Sequence, residues 1–266
     1  MFKTINPPPN LSKYIKAFWM GSFESNLEKS FTHLAHATTT PQLIFHLEGS
    51  FHEVISSVES GQTFDASIYG QSNLYKVFKT KSKKPSILGV QLYPHALPKL
   101  LSVPAEALTN ETVELQLALG REGRELTEAV FTTRCEFKRV ELISTFLEKK
   151  LNGPDRPRDT PVANAILNIE RCKGRVSISK LVDQSCLSQR QFERNFKELT
   201  GFSPKAYLKI VRFESLLEGC AITGSTLTGK ALEFGYYDQA HMNHDFRAFT
   251  GLSPLQYRDF CSSQFM

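Results

Sequence analysis

Two short stretches of this chain carry side chains that could read a base edge or hold a phosphate. The first contains Gln189, Arg190, Glu193, Arg194 and Lys197; the second contains Gln239, His241, Asn243, His244 and Arg247. Amides and guanidinium groups match the donor and acceptor patterns of adenine and guanine, a carboxylate can accept from cytosine, and Arg and Lys neutralise phosphates. Each set lies opposite apolar residues at i, i+4 and i+7, the helical period: Phe192, Phe196 and Leu199 in the first, Met242, Phe246 and Phe249 in the second. A plain solvated helix face would carry the same residue types, so neither stretch says much alone.

The elements that would position them are duplicated. The segment Phe196-Lys-Glu-Leu-Thr-Gly-Phe-Ser-Pro-Lys-Ala-Tyr207 returns as Phe246-Arg-Ala-Phe-Thr-Gly-Leu-Ser-Pro-Leu-Gln-Tyr257, with six of twelve positions identical. Two copies are too few for a stacked solenoid. They fit two helix-turn-helix units, at about 177–200 and 226–250, joined by one helix. In the first, Leu181 and Val182 anchor a scaffold helix capped by Ser177, Cys186-Leu187 turns the chain, and Ser188 caps the helix 189–199. In the second, Lys230-Ala231 belongs to the scaffold helix, Gly235-Tyr236 turns the chain, and Asp238 caps the helix 239–249. The second turn is one residue longer. A helix entering the major groove needs base-reading groups near its N-terminus and phosphate contacts around them, so double-stranded DNA is the leading partner.

Residues 160–262 resemble the DNA-binding domain of AraC/XylS-type transcription regulators. The residues that carry the resemblance are Leu181-Val-x-x-x-Cys-Leu-Ser-x-Arg-x-Phe-x-Arg-x-Phe-Lys-x-x-x-Gly-x-Ser-Pro-x-x-Tyr-Leu-x-x-x-Arg212, followed by Ala231-x-x-x-Gly-Tyr-x-Asp-x-x-x-x-x-x-x-Phe-Arg-x-x-x-Gly-x-Ser-Pro-x-x-Tyr-Arg258. The resemblance implies a sequence-specific regulator with a domain of about seven helices. Its connecting helix, expected over 205–218 and about 21 Å long, would hold the reading helices near one DNA turn apart, about 34 Å. One protomer would then cover two successive major grooves. It also brings RNA polymerase and a second copy of the chain among the expected partners. The chain departs from the family pattern at Val182, Cys186 and Glu218-Gly-Cys220, and at His244, where Arg is usual. A neutral imidazole cannot replace an arginine on a phosphate.

Composition sets wider bounds. At 266 residues and 41% hydrophobic, the chain can build two ordinary domains. Residues 160–266 hold 13 Lys and Arg against 10 Asp and Glu, so charge does not single out the helical half, and any basic face must come from arrangement. The five cysteines are widely spaced, with no C-x-x-C pair, which argues against a zinc site and a disulfide framework. Small buried apolar residues are the expected role for most of them. There is no signal-peptide core and no apolar run of membrane-spanning length. The expected protein is cytoplasmic, without a membrane partner.

The first part of the chain has a different texture. Leu11 to Trp19 shows helical spacing, although part of it also suits a strand. Over 30–93, short runs rich in β-branched and aromatic residues alternate with turn residues: Gln42–Leu47, Phe51–Ile55, Ser67–Gly70, Leu74–Phe78 and Ile87–Tyr93. From 94 to 151 the pattern is helical: 96–101, 104–108, 114–119, 121–131 and 135–151, the last with the apolar stripe Phe137, Val140, Leu142, Ile143, Phe146 and Leu147. That stripe suits either a dimer or packing on the β domain. Residues 152–160, with glycine and two prolines, form the expected linker between a sensor or dimerisation domain (1–151) and a DNA-binding domain (161–266). The expected fold is α+β, an N-terminal, mostly antiparallel, cupin-like barrel or sandwich with helices followed by an all-α domain.

Such β domains in AraC-type proteins commonly bind an effector, dimerise, or both. The stretch 88–108 resembles an uncharacterised sensor-like domain found ahead of these DNA-binding domains and brings no known ligand, so the effector and its residues are unknown. His33, His36, His46, His52 and His95 lack the His-x-His with downstream Glu and His that a metal cupin needs. No G-x-S-x-G or phosphate loop is present, and Cys135 has no adjacent histidine to activate it. The reading is a non-enzyme with no catalytic residues, no metal and no cofactor. The alternatives are a metal-dependent cupin-type enzyme fused to a DNA-binding domain, and a regulator whose first domain only dimerises.

Overall fold

The structure is a computed structural model that describes residues 2–22, 31–55, 58–59, 63–151, 161–223 and 231–264. The expected linker lies outside them, as does residue 230 of the expected second scaffold helix; Ala231, the other residue assigned to that helix, lies in a turn. The chain divides into two compact units. The first comprises Met1–His33, Thr40–Gln71 and Val77–Arg158; the second comprises Leu34–Thr39, Ser72–Lys76 and Asp159–Met266.

The first unit is built on antiparallel sheets. Strands β1 (Phe2–Ile5), β2 (Ile15–Ser22), β4 (Gln42–Glu48), β7 (Ala66–Tyr69), β9 (Ser86–Leu92) and β10 (Thr112–Glu114) form a six-stranded sheet in the order β1-β2-β9-β4-β7-β10. Strands β3 (Phe31–Ala35), β8 (Lys76–Thr80), β5 (His52–Ile55) and β6 (Val58–Glu59) form a second sheet in the order β3-β8-β5-β6. Among the described residues the two do not close into one barrel. Side chains alternate across a strand, and the register uses this: Leu43 pairs with Val90 and Ile68, and Phe45 with Leu88 and Ala66, all buried. The helices α2 (Leu115–Thr132) and α3 (Glu136–Leu151) contribute Leu126, Val130, Ile143 and Leu147 to the same core. Full burial of one such side chain stabilises by about 1.5–3 kcal/mol. The other face of the sheet carries Ile44, His46, Ser67 and Tyr69; ring contacts His46–Phe51 (5.6 Å) and Tyr69–Phe78 (5.8 Å) join it to the second sheet.

Three expectations need correction here. Leu11–Trp19 is not a helix: a 3-10 turn over Pro9–Leu11 leads into β2. The segment is flanked by β1 and β9, and backbone pairing on both sides outweighs a helical spacing that alternation fits equally well. Pro104–Leu108 shrinks to a 3-10 turn over Glu106–Leu108, and 96–101 to a four-residue helix α1, Leu97–Leu100. By contrast, the break expected between 119 and 121 exists: Gly120 sits at φ 59°, ψ −133° inside α2, a conformation for which glycine is suited. The apolar stripe of α3 packs inward through Ile143 and Leu147, while Phe137 stays 66% exposed beneath Lys3, whose ammonium lies 4.6 Å from the ring centroid.

The second unit is helical. Its described helices are α4 (Pro161–Arg171), α5 (Ile178–Ser185), α6 (Gln189–Thr200), α7 (Pro204–Thr223), α8 (Gln239–Thr250) and α9 (Pro254–Gln264). Its core is a run of aromatic contacts, Phe192–Phe196–Tyr207 on one side and Phe213–Phe246–Tyr257 on the other, at 5.3–5.6 Å between centroids. The connecting helix α7 is longer than expected: 20 residues, or about 30 Å. Cys135 and Cys186 are exposed rather than buried, so packing does not account for either.

Candidate nucleic-acid interface

The duplicated segment is a helix stop followed at once by a helix start. At the end of α6, Thr200 Oγ1 donates to Phe196 O (2.8 Å) and accepts from Phe202 N (3.2 Å). At the end of α8, Thr250 Oγ1 donates to Phe246 O (2.7 Å) and accepts from Leu252 N (3.1 Å). Gly201 and Gly251 follow at φ 75° and 74°, the left-handed C-cap. Ser203 and Ser253 then accept from the backbone of Ala206 (3.3 Å) and Gln256 (3.4 Å), and Pro204 and Pro254 take the first helical position. Thr-Gly-x-Ser-Pro therefore fixes how each reading helix leaves its unit, and needs no functional role.

Each reading helix is also fixed at its start. In the first helix-turn-helix, α5 ends at Cys186, left-handed at φ 54°. Ser188 and Gln191 then form a reciprocal capping box at the start of α6. Phe192 and Phe196 are fully buried, and Gln189, Arg190, Glu193, Arg194 and Lys197 lie exposed on the opposite face. Gln189 Nε2 donates to Glu193 Oε1 at 2.9 Å, and Arg194 sits 3.9 Å from Glu198. No ion pair or hydrogen bond engages the Arg190 guanidinium among the described residues.

In the second unit Gly235 turns at φ 80° and Asp238 Oδ1 accepts from His241 N at 2.7 Å, capping α8. Met242, Phe246 and Phe249 are buried as expected; Gln239, His244 and Arg247 are exposed, and His241 and Asn243 are half-buried. Sequence reasoning overlooked Asp245, which is 1% exposed beneath the two histidines, and its partner Lys209 on α7, 2.9 Å away. The signal was present in the i,i+4 spacing of His241 and Asp245. It also overlooked Arg212, whose Nη1 donates to Gly235 O (3.3 Å) and ties the second turn to the connecting helix.

The structure thus places five polar side chains on each of two helices that start and end alike. Residues 181–259 match the family described as Helix-turn-helix domain. The geometry and this match agree on a helix-turn-helix domain in this part of the chain. An uncharacterized HTH-type transcriptional regulator of Haemophilus influenzae is 33% identical to this chain over 81 residues, 30% of this chain and 27% of the relative. The chain therefore matches little more than a quarter of that relative's length. Residues 3–114, ahead of the helix-turn-helix domain, match a domain of unknown function (DUF6597). The fold of the chain is similar to that of ToxT from Vibrio cholerae O395, with TM-score 0.51 and 12% identity over 91% of this chain and 97% of that one. A ToxT structure with bound unsaturated fatty acid (strain SCE256) aligns with TM-score 0.50 and 12% identity, over 90% of this chain and 94% of that one.

The remaining histidines hydrogen-bond to oxygens or stack on aromatic rings. His36 Nδ1 contacts Ala37 O at 2.8 Å, His95 Nε2 donates to Lys13 O at 3.0 Å, His52 lies 3.4 Å from Ser50 Oγ, and His33 stacks on Phe78. Among the described residues no group of three or more His, Cys, Asp or Glu side chains could hold a metal ion, and no helix is long and apolar enough to cross a membrane.

Proposed function

We propose that this chain is a sequence-specific DNA-binding transcription regulator, in which α6 and α8 enter successive major grooves of one duplex. The observation that carries this reading is the pair of capped helices with equivalent buried faces and polar opposite faces, set on either side of α7. The length of α7, about 30 Å, suits a separation near one DNA turn, about 34 Å. Arg190, Arg194 and Lys197 are assigned to phosphates and guanine. Gln189, Gln239 and Asn243 are assigned to adenine edges, Glu193 to cytosine, and His241, His244 and Arg247 to the backbone. The protein is read as cytoplasmic in the same proposal. RNA polymerase and a second copy of the chain are further partners in this reading, with 1–151 as sensor or dimerisation domain and 161–266 as DNA-binding domain.

The first unit is read as responsive to a small molecule. Two buried polar atoms on one face of its six-stranded sheet, His46 Nδ1 and Ser67 Oγ, have no hydrogen-bond partner. Buried polar groups ordinarily have one, so these two atoms are read as partners for the hydrogen-bonding group of a small ligand. The fatty acid of the ToxT relative makes carboxylic acids with apolar bodies the first class to screen.

Selection of bound sequences from random duplex DNA tests the main claim. A defined motif bound at least a hundredfold more tightly than random sequence is expected, and equal affinity for all duplexes would refute it. A thermal-shift screen tests responsiveness, with a stabilising ligand losing its effect in Ser67→Ala; a mass measurement in solution separates sensing from assembly.

A further inference from the structure

Asp245 is a buried carboxylate on a helix whose amide, imidazole and guanidinium side chains are exposed or half-buried. One of its oxygens, Oδ1, lies 2.9 Å from Lys209 Nζ and 3.5 Å from His244 Nδ1. The other, Oδ2, has no hydrogen-bond partner and faces His241 Nε2 at 3.7 Å. Each histidine therefore turns one ring nitrogen toward Asp245 and has a second for another partner. A neutral imidazole has one N–H donor; an imidazolium has two.

We propose that Asp245 is a positioning residue of the second reading helix, holding His241 and His244 so that both become imidazolium donors when a duplex binds, and that DNA binding by this unit takes up protons. The inference rests on the assignment of α8 as a DNA-contacting helix. It also answers the weakness left by a histidine at position 244, because an imidazolium can neutralise a phosphate.

Carboxylates and cations both lie around His241. Asp245 and the capping Asp238 on its own helix favour the proton. Lys209 and Arg212 on α7 oppose it, Lys209 by pairing with the same carboxylate and Arg212 from the Gly235 carbonyl. The Tyr236 ring meets the imidazole edge-to-face at 5.3 Å and brings no charge. An ordinary imidazole with pKa near 6.5 is mostly neutral above pH 7, and a phosphate a few ångströms away adds the missing favourable term. The first reading helix contains no histidine, so it serves as a built-in control.

The test uses the full chain and its selected duplex, with affinity measured by fluorescence anisotropy from pH 6 to 8 at constant ionic strength. The wild type is expected to bind about three- to tenfold more tightly at pH 6 than at pH 8. The double variant His241→Gln/His244→Gln removes that ratio, whatever its affinity at pH 8. Asp245→Asn moves the tightening to lower pH, and Lys209→Met, which frees the carboxylate for the histidines, moves it to higher pH. Arg190→Ala weakens binding at every pH and keeps the ratio. A flat wild-type profile, or a double variant that keeps the wild-type profile, overturns proton uptake at α8. A Lys209→Met profile that coincides with the wild type overturns the role of Asp245, even if Asp245→Asn fails to fold. Absence of site-preferring binding at any pH overturns the DNA assignment itself, a result distinct from a flat profile.

Discussion

Tyr207, fully buried on α7, donates its hydroxyl to Glu170 Oε1 on α4 at 2.7 Å. Burial foremost, and then the Glu170 charge, push the phenol well above its usual range, so it stays protonated and remains a donor. Tyr207→Phe is expected to destabilise the helical unit by about 1–2 kcal/mol. Urea unfolding followed by circular dichroism gives the value; an unchanged midpoint would remove this bond from the account of the fold.

The two turns make opposite predictions. Cys186 is left-handed without being glycine, and Cys186→Gly is expected to stabilise by about 0.5 kcal/mol once the looser unfolded chain is counted. Gly235→Ala imposes the same strain on the second turn and is expected to cost about 1 kcal/mol. Melting temperatures of the two variants should lie on either side of the wild type.

His46 gives the first unit a pH dependence. Burial lowers its pKa, with the Phe64 backbone bond and the Asp65 charge partly opposing this. The unfolded chain then binds a proton near pH 6.5 that the folded chain refuses. The stabilising contribution is complete above pH 6.5 and is lost as the pH falls toward the depressed folded value. His46→Leu should flatten this loss in a comparison of unfolding at pH 7.5 and 5.5; a slope equal to the wild type would contradict the burial argument.

The reading helices should differ in salt dependence. Arg190→Ala removes a cation and is expected to reduce the slope of log affinity against log salt by about 1 and to cost about 1–3 kcal/mol. Gln239→Ala removes an amide and should weaken binding with little change in slope while relaxing the preference at one base pair. Equal slopes for the two variants would mean that Arg190 does not contact a phosphate.

Much of the helical unit was legible before any coordinates. The caps Ser177, Ser188 and Asp238 and the buried Phe192 and Phe246 follow from residue type and spacing, since capping and 3.6-residue periodicity are local. The five runs read as strands between 42 and 93 appear as β4, β5, β7, β8 and β9, each starting within two residues of the expected position. What escaped depends on distant partners. β2 is a strand because β1 and β9 flank it, and β10 exists by pairing with β7. Asp245 was passed over because its burial under His241 and beside Lys209 is set by α7, which is remote in sequence.

The chain repeats its reading-helix caps and buried faces but not its reading surface: one helix offers two guanidinium groups, the other one guanidinium with amides and imidazoles. Palindromic DNA sites mirror the twofold symmetry of dimers, and no twofold axis relates these two faces. A single copy would therefore bind a site with a left and a right end, and would sit on the duplex in one orientation. Inverting the site should change which way the bound protein points along the DNA, and with it the direction in which any neighbouring gene is addressed.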